Sequence, residues 1–400
     1  MRRPPPAPGE RRRDRASGGM DARTLTREEL QHQLEAWGQP VYRLDQLLDW
    51  LHAKTAASWD EMSNLPRELR RCLAAQYELH LPQIVEVQGA RDTTRKFLWR
   101  LSDGALIESV LIPANPALYG EASDRHTLCI STQVGCAYGC RFCASGLDGW
   151  KRNLLVEEIV GQVLAVERWR VKEKTEGRLP GEESGEADDG GRITEGGKGR
   201  RLINNLVVMG MGEPLANYDH LVRALGLLNA PWGYGIGARK ITVSTSGLAP
   251  QIRRLAAHPQ QYGLAISLHG ATDDVRNRLM PINRKYPLAE LMAACETFVQ
   301  AKGRMITFEY ILIEGVNDDP AQTRPLAALA RRLHAKVNLI PYNTVAGLPW
   351  RRPSDRALEA FLGAIEAVGV QATLRREKGH DIDAACGQLR LRTERELRGP

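Results

Sequence analysis

Cys136, Cys140 and Cys143 form a Cys-x3-Cys-x2-Cys run, with Cys129 seven residues ahead of it. Four of the seven cysteines thus fall within fifteen residues; the others are Cys72, Cys295 and Cys386. In a 400-residue chain with an odd cysteine count, such crowding points to metal binding or catalysis rather than to a disulfide framework. Three thiolates on a tight loop can hold three irons of a [4Fe–4S] cluster. The fourth iron would stay open to chelate the amino and carboxylate groups of S-adenosylmethionine (SAM), whose reductive cleavage gives a 5′-deoxyadenosyl radical. The competing reading is a zinc knuckle completed by Cys129, although structural zinc usually takes paired Cys-x2-Cys units or added histidines.

Further residues could serve such a ligand. Met209-Gly210-Met211-Gly212-Glu213-Pro214 has glycines that let backbone approach a ligand, and Glu213 can accept from an amino group. Ser244-Thr245-Ser246-Gly247 offers hydroxyls to a ribose or carboxylate, Ser267-Leu268-His269 presents polar atoms, and Asn343 closes Ile340-Pro-Tyr-Asn343. Singly, each is ordinary turn chemistry; their recurrence at the ends of successive predicted strands raises them together. Cys129 and Cys386 each read equally well as a core thiol or a reactive one. Cys72 and Cys295 lie among apolar helical residues and read as structural.

The elements that must position these groups follow from the apolar pattern. Strands are expected at 128–131, 205–209, 241–245, 264–268, 306–311 and 337–340, alternating with helical patterns at 156–170, 219–229, 288–302 and 321–334. Six βα units imply an α/β fold, a parallel sheet curled into a partial (β/α)6 barrel of TIM type, with its site at the C-terminal strand ends. Ahead of it, 97–101 and 106–112 flank Ser102-Asp103-Gly104 as a hairpin. Earlier still, Thr26 and Glu29 form a possible capping box, Leu30, Leu34 and Trp37 recur at helical spacing, and Gly38 ends the turn. Two more helices carry Leu44, Leu47, Leu48 and Leu51, then Leu69 and Leu73 after Pro66. The expected division is a basic tail at 1–23, a helical RNA-binding domain at 24–80, a β-hairpin connector at 81–122, the barrel at 123–390 and a tail at 391–400. Within the barrel, 171–201 is rich in Gly, Glu, Lys and Asp and reads as a flexible insertion.

Net charge is +7 and the pI is near 9.1, which suits a polyanionic partner. Arg43, Lys54, Arg67, Arg70 and Arg71 fall on the helical domain, as a solvated face or an RNA-docking one. No apolar run approaches the ~20 residues of a membrane span. The N-terminus lacks a signal peptide's apolar core, so a cytoplasmic protein without a membrane partner is expected.

Cys129-Ile-Ser-Thr-Gln-Val-Gly-Cys136, the cluster motif, Met209-Gly-Met-Gly-Glu-Pro214 and Asp381-Ile-Asp-Ala-Ala-Cys-Gly-Gln-Leu389 resemble the RlmN/Cfr family of radical SAM adenine methyltransferases over residues 24–390. The resemblance implies methylation of adenine C2 in 23S rRNA and in the tRNA adenine beside the anticodon, with two SAM molecules per turnover. Cys386 would take a methyl from the first. The radical from the second would abstract hydrogen from that S-methyl, and the resulting methylene radical would add to the adenine. Cys129 would resolve the crosslink, leaving a Cys129–Cys386 disulfide. By the same resemblance Glu108 is the proton acceptor, and Gly212, Glu213, Ser244, Ser267, Leu268, His269 and Asn343 bind SAM. An electron donor of unknown identity is required, and a monomer is expected. A Cfr-type C8 methyltransferase and a non-enzymatic zinc-dependent RNA-binding protein are the alternatives. The insertion, the long N-terminal tail and the 144–150 loop depart from the family pattern without touching these residues.

Overall fold

The computed structural model describes residues 19–90, 93–113, 125–147, 149–176, 201–345, 347–375 and 387–398. The chain falls into two compact units, one ending at His80 and the other beginning at Leu81.

The first unit holds helices α1 (Arg27–Ala36), α2 (Tyr42–Leu48) and α3 (Arg67–Gln76), with a π-helical turn at Asp49–Ala53. The capping box forms: Thr26 Oγ1 accepts from the Glu29 N–H at 3.2 Å, and a Glu29 carboxylate oxygen accepts from the Thr26 N–H at 2.7 Å. Such a cap contributes about 1 kcal/mol. All eight leucines read as core are buried. The tail, however, ends earlier than expected. Strand β1 (Met20–Asp21) pairs in parallel with β2 (Tyr77–Glu78), and Asp21, Ala22 and Arg23 are buried. The Asp21 carboxylate accepts from the backbone N–H groups of Arg23 and His80. These partners are distant in sequence, so composition alone could not mark residues 20–23 as ordered.

The second unit is built on one ten-stranded sheet. Its parallel part runs, from one edge, β14 (Ala372–Leu374), β13 (Lys336–Pro341), β12 (Thr307–Leu312), β11 (Gly263–Ser267), β10 (Ile241–Thr245), β9 (Asn205–Val208) and β6 (His126–Cys129). Strands β5 (Leu106–Pro113), β4 (Arg95–Arg100) and β3 (Gln83–Gly89) continue it as an antiparallel meander. The expected connector is thus continuous with the barrel sheet, joined by the β5–β6 pairing that sets Val110 opposite Cys129. A separate ribbon pairs β7 (Gln133–Gly135) with β8 (Trp150–Asn153).

Helices α4 (Ala144–Leu147), α5 (Val156–Thr175), α6 (Tyr218–Asn229), α7 (Ala249–Ala257), α8 (Asp273–Leu279), α9 (Leu288–Lys302), α10 (Thr323–Arg332), α11 (Asp355–Ala367) and α12 (Gln388–Arg398) complete the unit. The six expected strands are present, each shifted by a few residues at most. The core gathers their apolar side chains with Ile159, Val163, Leu221, Leu225, Leu291 and Phe298 from the helices. Two expectations are corrected. Helix α5 runs to Thr175, into the segment read as an insertion; residues 177–200 lie outside the described ones. Residues 391–398 belong to α12 rather than to a tail, because Leu389, Arg390 and Leu391 are buried and Arg390 pairs with Glu394 at 2.9 Å. That helix is mostly charged, so its apolar content gave little periodicity. Among the described residues, no helix is long and apolar enough to cross a membrane.

Candidate active site

The cysteine loop leaves the sheet after β6 and returns through β8 into α5. Cys136, Cys140 and Cys143 are half-buried between β7 and α4. Backbone contacts hold the loop. Cys136 N–H donates to the Gly149 carbonyl at 3.1 Å, Arg141 N–H to Leu279 at 2.9 Å, and Trp350 Nε1 to the Arg141 carbonyl at 3.0 Å. Desolvation pushes the Cys136 thiol up to about 12, with the charges of Cys143 and Glu213 adding to it. Cys140 is raised too, first by desolvation and then by Cys143 and Cys136. Thiols that, like Cys136 and Cys140, resist ionisation where they stand need a cationic partner, and coordination to iron deprotonates them outright. The donor set fits an iron–sulfur cluster. Among the described residues, no three His, Cys, Asp or Glu side chains converge on one point as a single ion would need. A cluster in which each thiolate takes its own iron makes no such demand.

The strand-end residues come together from β9 to β12. After β9, Gly212 has φ +97°, and a Cβ there would lie 2.5 Å from Gln133 Cβ, so only glycine fits against the cysteine loop. Glu213 is buried, and its carboxylate accepts from Leu215 N–H at 3.0 Å and from Ser246 N–H at 2.7 Å, tying the end of β9 to that of β10. Burial raises its pKa above the usual carboxylate value, against the lowering effect of these bonds. Ser244 and Ser267 hydroxyls lie 3.4 Å apart across β10 and β11. Leu268 is fully buried and its N–H donates to the Glu309 carbonyl. Its contribution to a ligand therefore reduces to its carbonyl, which also accepts from Arg276 Nε at 3.1 Å. His269 has φ +54°, strained for a non-glycine residue. Its Nδ1 faces the Ile311 N–H at 3.0 Å, and desolvation, followed by the Arg276 charge, pushes the imidazole down to about 3. The ring is therefore neutral, Nδ1 accepts, and Nε2 carries the proton. Phe142, between two cluster cysteines in sequence, packs edge-on against it at 4.9 Å. Asn343 follows β13 half-buried, next to Thr344, whose carbonyl accepts from Gln388 Nε2 at 3.2 Å.

Glu108 and Cys129 sit on neighbouring strands. Cys129 pairs with Val110, two residues from Glu108, so pleating places all three side chains on one face. Both Glu108 and Cys129 are buried. The Glu108 carboxylate accepts from Gly387 N–H and Arg390 N–H, each at 2.7 Å, and pairs with Lys96 Nζ at 3.0 Å. Cys386 lies outside the described residues, but its sequence neighbour Gly387 packs on Ser145, directly after the cluster motif. Cys72 is half-buried and Cys295 fully buried, as structural cysteines would be.

Three supporting residues were not singled out in the sequence, although Gln133 lies within the motif from Cys129 to Cys136. Gln133 Oε1 accepts from Glu213 N–H at 2.9 Å and from Ala137 N–H at 3.2 Å, joining the Gly-Glu-Pro turn to the cysteine loop. Arg276, fully buried, donates to the Leu268 and Ser246 carbonyls at the ends of β11 and β10. Lys96, on β4, pairs with Glu108. No local motif announces Arg276 or Lys96, whose partners lie on other elements, and the tie from Gln133 to Glu213 spans 80 residues.

An open α/β barrel with a three-cysteine loop after its first strand and polar groups at the following strand ends is the arrangement of a radical SAM enzyme. Residues 193–324 match the Radical SAM superfamily, and residues 21–79 match the ribosomal RNA large subunit methyltransferase N-terminal domain. A protein of Akkermansia muciniphila named "Probable dual-specificity RNA methyltransferase RlmN" is 50% identical, covering 94% of this chain and 96% of that one. The dual-specificity RNA methyltransferase RlmN of Anaeromyxobacter dehalogenans is 45% identical over 92% and 91%. The crystal structure of a radical SAM methyltransferase from Sphaerobacter thermophilus superposes with a TM-score of 0.80 at 43% identity, covering 92% of this chain and 98% of that one. The chain belongs to the RlmN family of radical SAM methyltransferases.

Proposed function

We propose that this enzyme methylates C2 of an adenine in 23S rRNA and of the tRNA adenine beside the anticodon, through an S-methylated Cys386. What carries the reading is the anchoring of Gly387, the residue after Cys386, to Glu108, on the same sheet face as Cys129. Cys136, Cys140 and Cys143 would hold a [4Fe–4S] cluster, which would supply the electron for reductive cleavage of SAM. Gly212, Glu213, Ser244, Ser267, His269 and Asn343, with the Leu268 carbonyl, bind and orient SAM. The Cys386 thiolate attacks the methyl carbon of a first SAM, and S-adenosylhomocysteine leaves. Loss of a hydrogen atom from that S-methyl, at the expense of a second SAM, gives the carbon that bonds to adenine. Glu108 takes the proton lost from the adenine carbon. Once the adduct has also returned one electron to the reducing system, the Cys129 thiolate attacks the Cys386 sulfur; the methylene carbon leaves with the bonding pair and takes up a proton as the product's methyl, and outside reducing equivalents reopen the disulfide left behind. The electron donor is a separate reductant, and the enzyme works as a cytoplasmic monomer.

The first unit serves RNA docking. Its cavity of about 480 Å³ is lined by Trp59, Arg67, Arg70 and Arg71 among others, offering cations for phosphates and a ring for a base. Arg43 and Lys54 do not line it; Arg70 and Arg71 pair loosely with Asp60 at 3.8 Å and Glu68 at 3.6 Å, exposed contacts that a phosphate can displace. The test is mass analysis of nucleosides from RNA treated with cluster-loaded enzyme and a reductant. 2-Methyladenine supports the reading, 8-methyladenine turns it to the Cfr-type activity, and no SAM cleavage from iron-loaded protein defeats it.

A further inference from the structure

The Lys96–Glu108 pair is almost wholly buried, the side chains being 1% and 2% exposed. A buried pair of this kind is a poor stabiliser, because desolvation offsets much of the Coulomb attraction. Its placement suggests another use. Lys96 on β4 stands opposite Val110 on β5, and Val110 stands opposite Cys129 on β6, so the three form one row across the sheet. Glu108, diagonal to Lys96 on that face, spends both carboxylate oxygens on the start of α12. One accepts from Gly387 N–H and meets Lys96 Nζ; the other accepts from Arg390 N–H. The opposite face of β4 and β5 carries Phe97, Trp99 and Ile107 in the main core, so this face is left for α12, whose Leu389 packs with Leu98 and Leu106. A carboxylate with several acceptor positions can swing among them. Here the Lys96 ammonium fixes one oxygen, which leaves the carboxylate a single orientation toward the two N–H groups.

We propose that Lys96 is a positioning residue for the methyl-carrying segment. It locks Glu108 as a latch on Gly387 and Arg390, and so fixes the backbone that leads out of Cys386. The proposal rests on the reading that Cys386 carries the methyl, and Lys96 need touch neither RNA nor SAM. Because the latch uses the same oxygens that would take the adenine proton, protonating Glu108 removes its charge and one acceptor, which loosens Gly387 as the reaction completes.

The experiment uses full-length, cluster-loaded enzyme carrying Lys96→Met, Lys96→Arg or the doubly neutral Lys96→Met/Glu108→Gln, the last in case an unpaired buried carboxylate prevents folding. Amide hydrogen exchange is followed in the peptide covering 387–398, with kcat and KM for RNA and SAM cleavage without RNA measured alongside. Exchange at the start of α12 should rise about tenfold or more in Lys96→Met and in the double variant, the effect of losing a charge-assisted hydrogen bond on local opening. The kcat of Lys96→Met should fall with KM for RNA unchanged, SAM cleavage should persist, and Lys96→Arg should restore both exchange and kcat; the double variant, which also lacks the proton acceptor, is read for exchange alone. Unchanged exchange in folded Lys96→Met, or normal kcat despite raised exchange, overturns the proposal. Exchange is read without any methyl transfer, so failure of the methyl-cysteine reading would appear separately, as wild-type enzyme that cleaves SAM and never methylates Cys386.

Discussion

The carboxylate of Glu108 accepts a hydrogen bond at 2.7 Å from the backbone N–H of Gly387, 279 residues further along the chain. This contact joins the antiparallel meander at one end of the sheet to the last helix, and it holds the residue next to Cys386. Gly387 also has φ +86°, and a Cβ on it would lie 2.6 Å from Ser145 Oγ and 2.9 Å from Ser145 N. Gly387→Ala should therefore strain the start of α12 by about 1–3 kcal/mol. Methyl transfer should drop sharply while iron content stays normal, as measured by product analysis beside iron and sulfide assay.

Replacing Cys136, Cys140 or Cys143 with Ala should remove the visible absorbance of the cluster and abolish SAM cleavage. The fold should survive, because the loop is also held by Arg141, Trp350 and Gly149. Circular dichroism and iron analysis would check this; a triple variant that still cleaves SAM would remove the cluster from the mechanism.

Cys386→Ala and Cys129→Ala should fail at different steps. Without Cys386, no methyl reaches protein or RNA. Without Cys129, the S-methyl still forms and still adds to adenine, so a covalent protein–RNA adduct should accumulate, visible on denaturing gels and lost on ribonuclease treatment. Two core thiols of merely structural value would instead give two similar, mildly destabilised proteins.

RNA affinity should fall steeply with salt. Each phosphate contact contributes about 0.7–0.9 to the slope of log K against log salt. Replacing Arg67, Arg70 and Arg71 together with Ala should lower that slope by about 2–3 if each meets a phosphate. SAM cleavage without RNA should be unaffected. Filter binding at several salt concentrations would measure it, and an unchanged slope would place docking elsewhere.

Acidification should cost stability through His269. In the unfolded chain an imidazole binds its proton below about 6.5, whereas burial holds the folded one neutral down to about 3. The unfolded state therefore binds more protons between these values, and stability falls as pH drops through that window. Between pH 6.5 and about pH 5 the loss is about 2 kcal/mol. His269→Gln should flatten this part of the dependence of melting temperature on pH; an unchanged slope would show that His269 is not held neutral.

The sequence by itself determined the cysteine loop, the order of six βα units and the strand-end motifs. Each is written in local spacing: thiols three and four residues apart, apolar runs between turn residues, glycine beside glutamate. The capping box at Thr26 and Glu29 was legible for the same reason, since its two bonds span only three residues. Tertiary structure alone decided how the hairpin joins the barrel sheet, how residues 20–23 are ordered, and that the charged segment at 388–398 is a docked helix. It also decided the parts of Gln133, Arg276 and Lys96. A buried charge is tolerated only where distant strands bring it a partner, as Glu108 is brought to Lys96 and to the start of α12. Such pairing leaves no periodic trace in either segment, so only the folded chain reveals it.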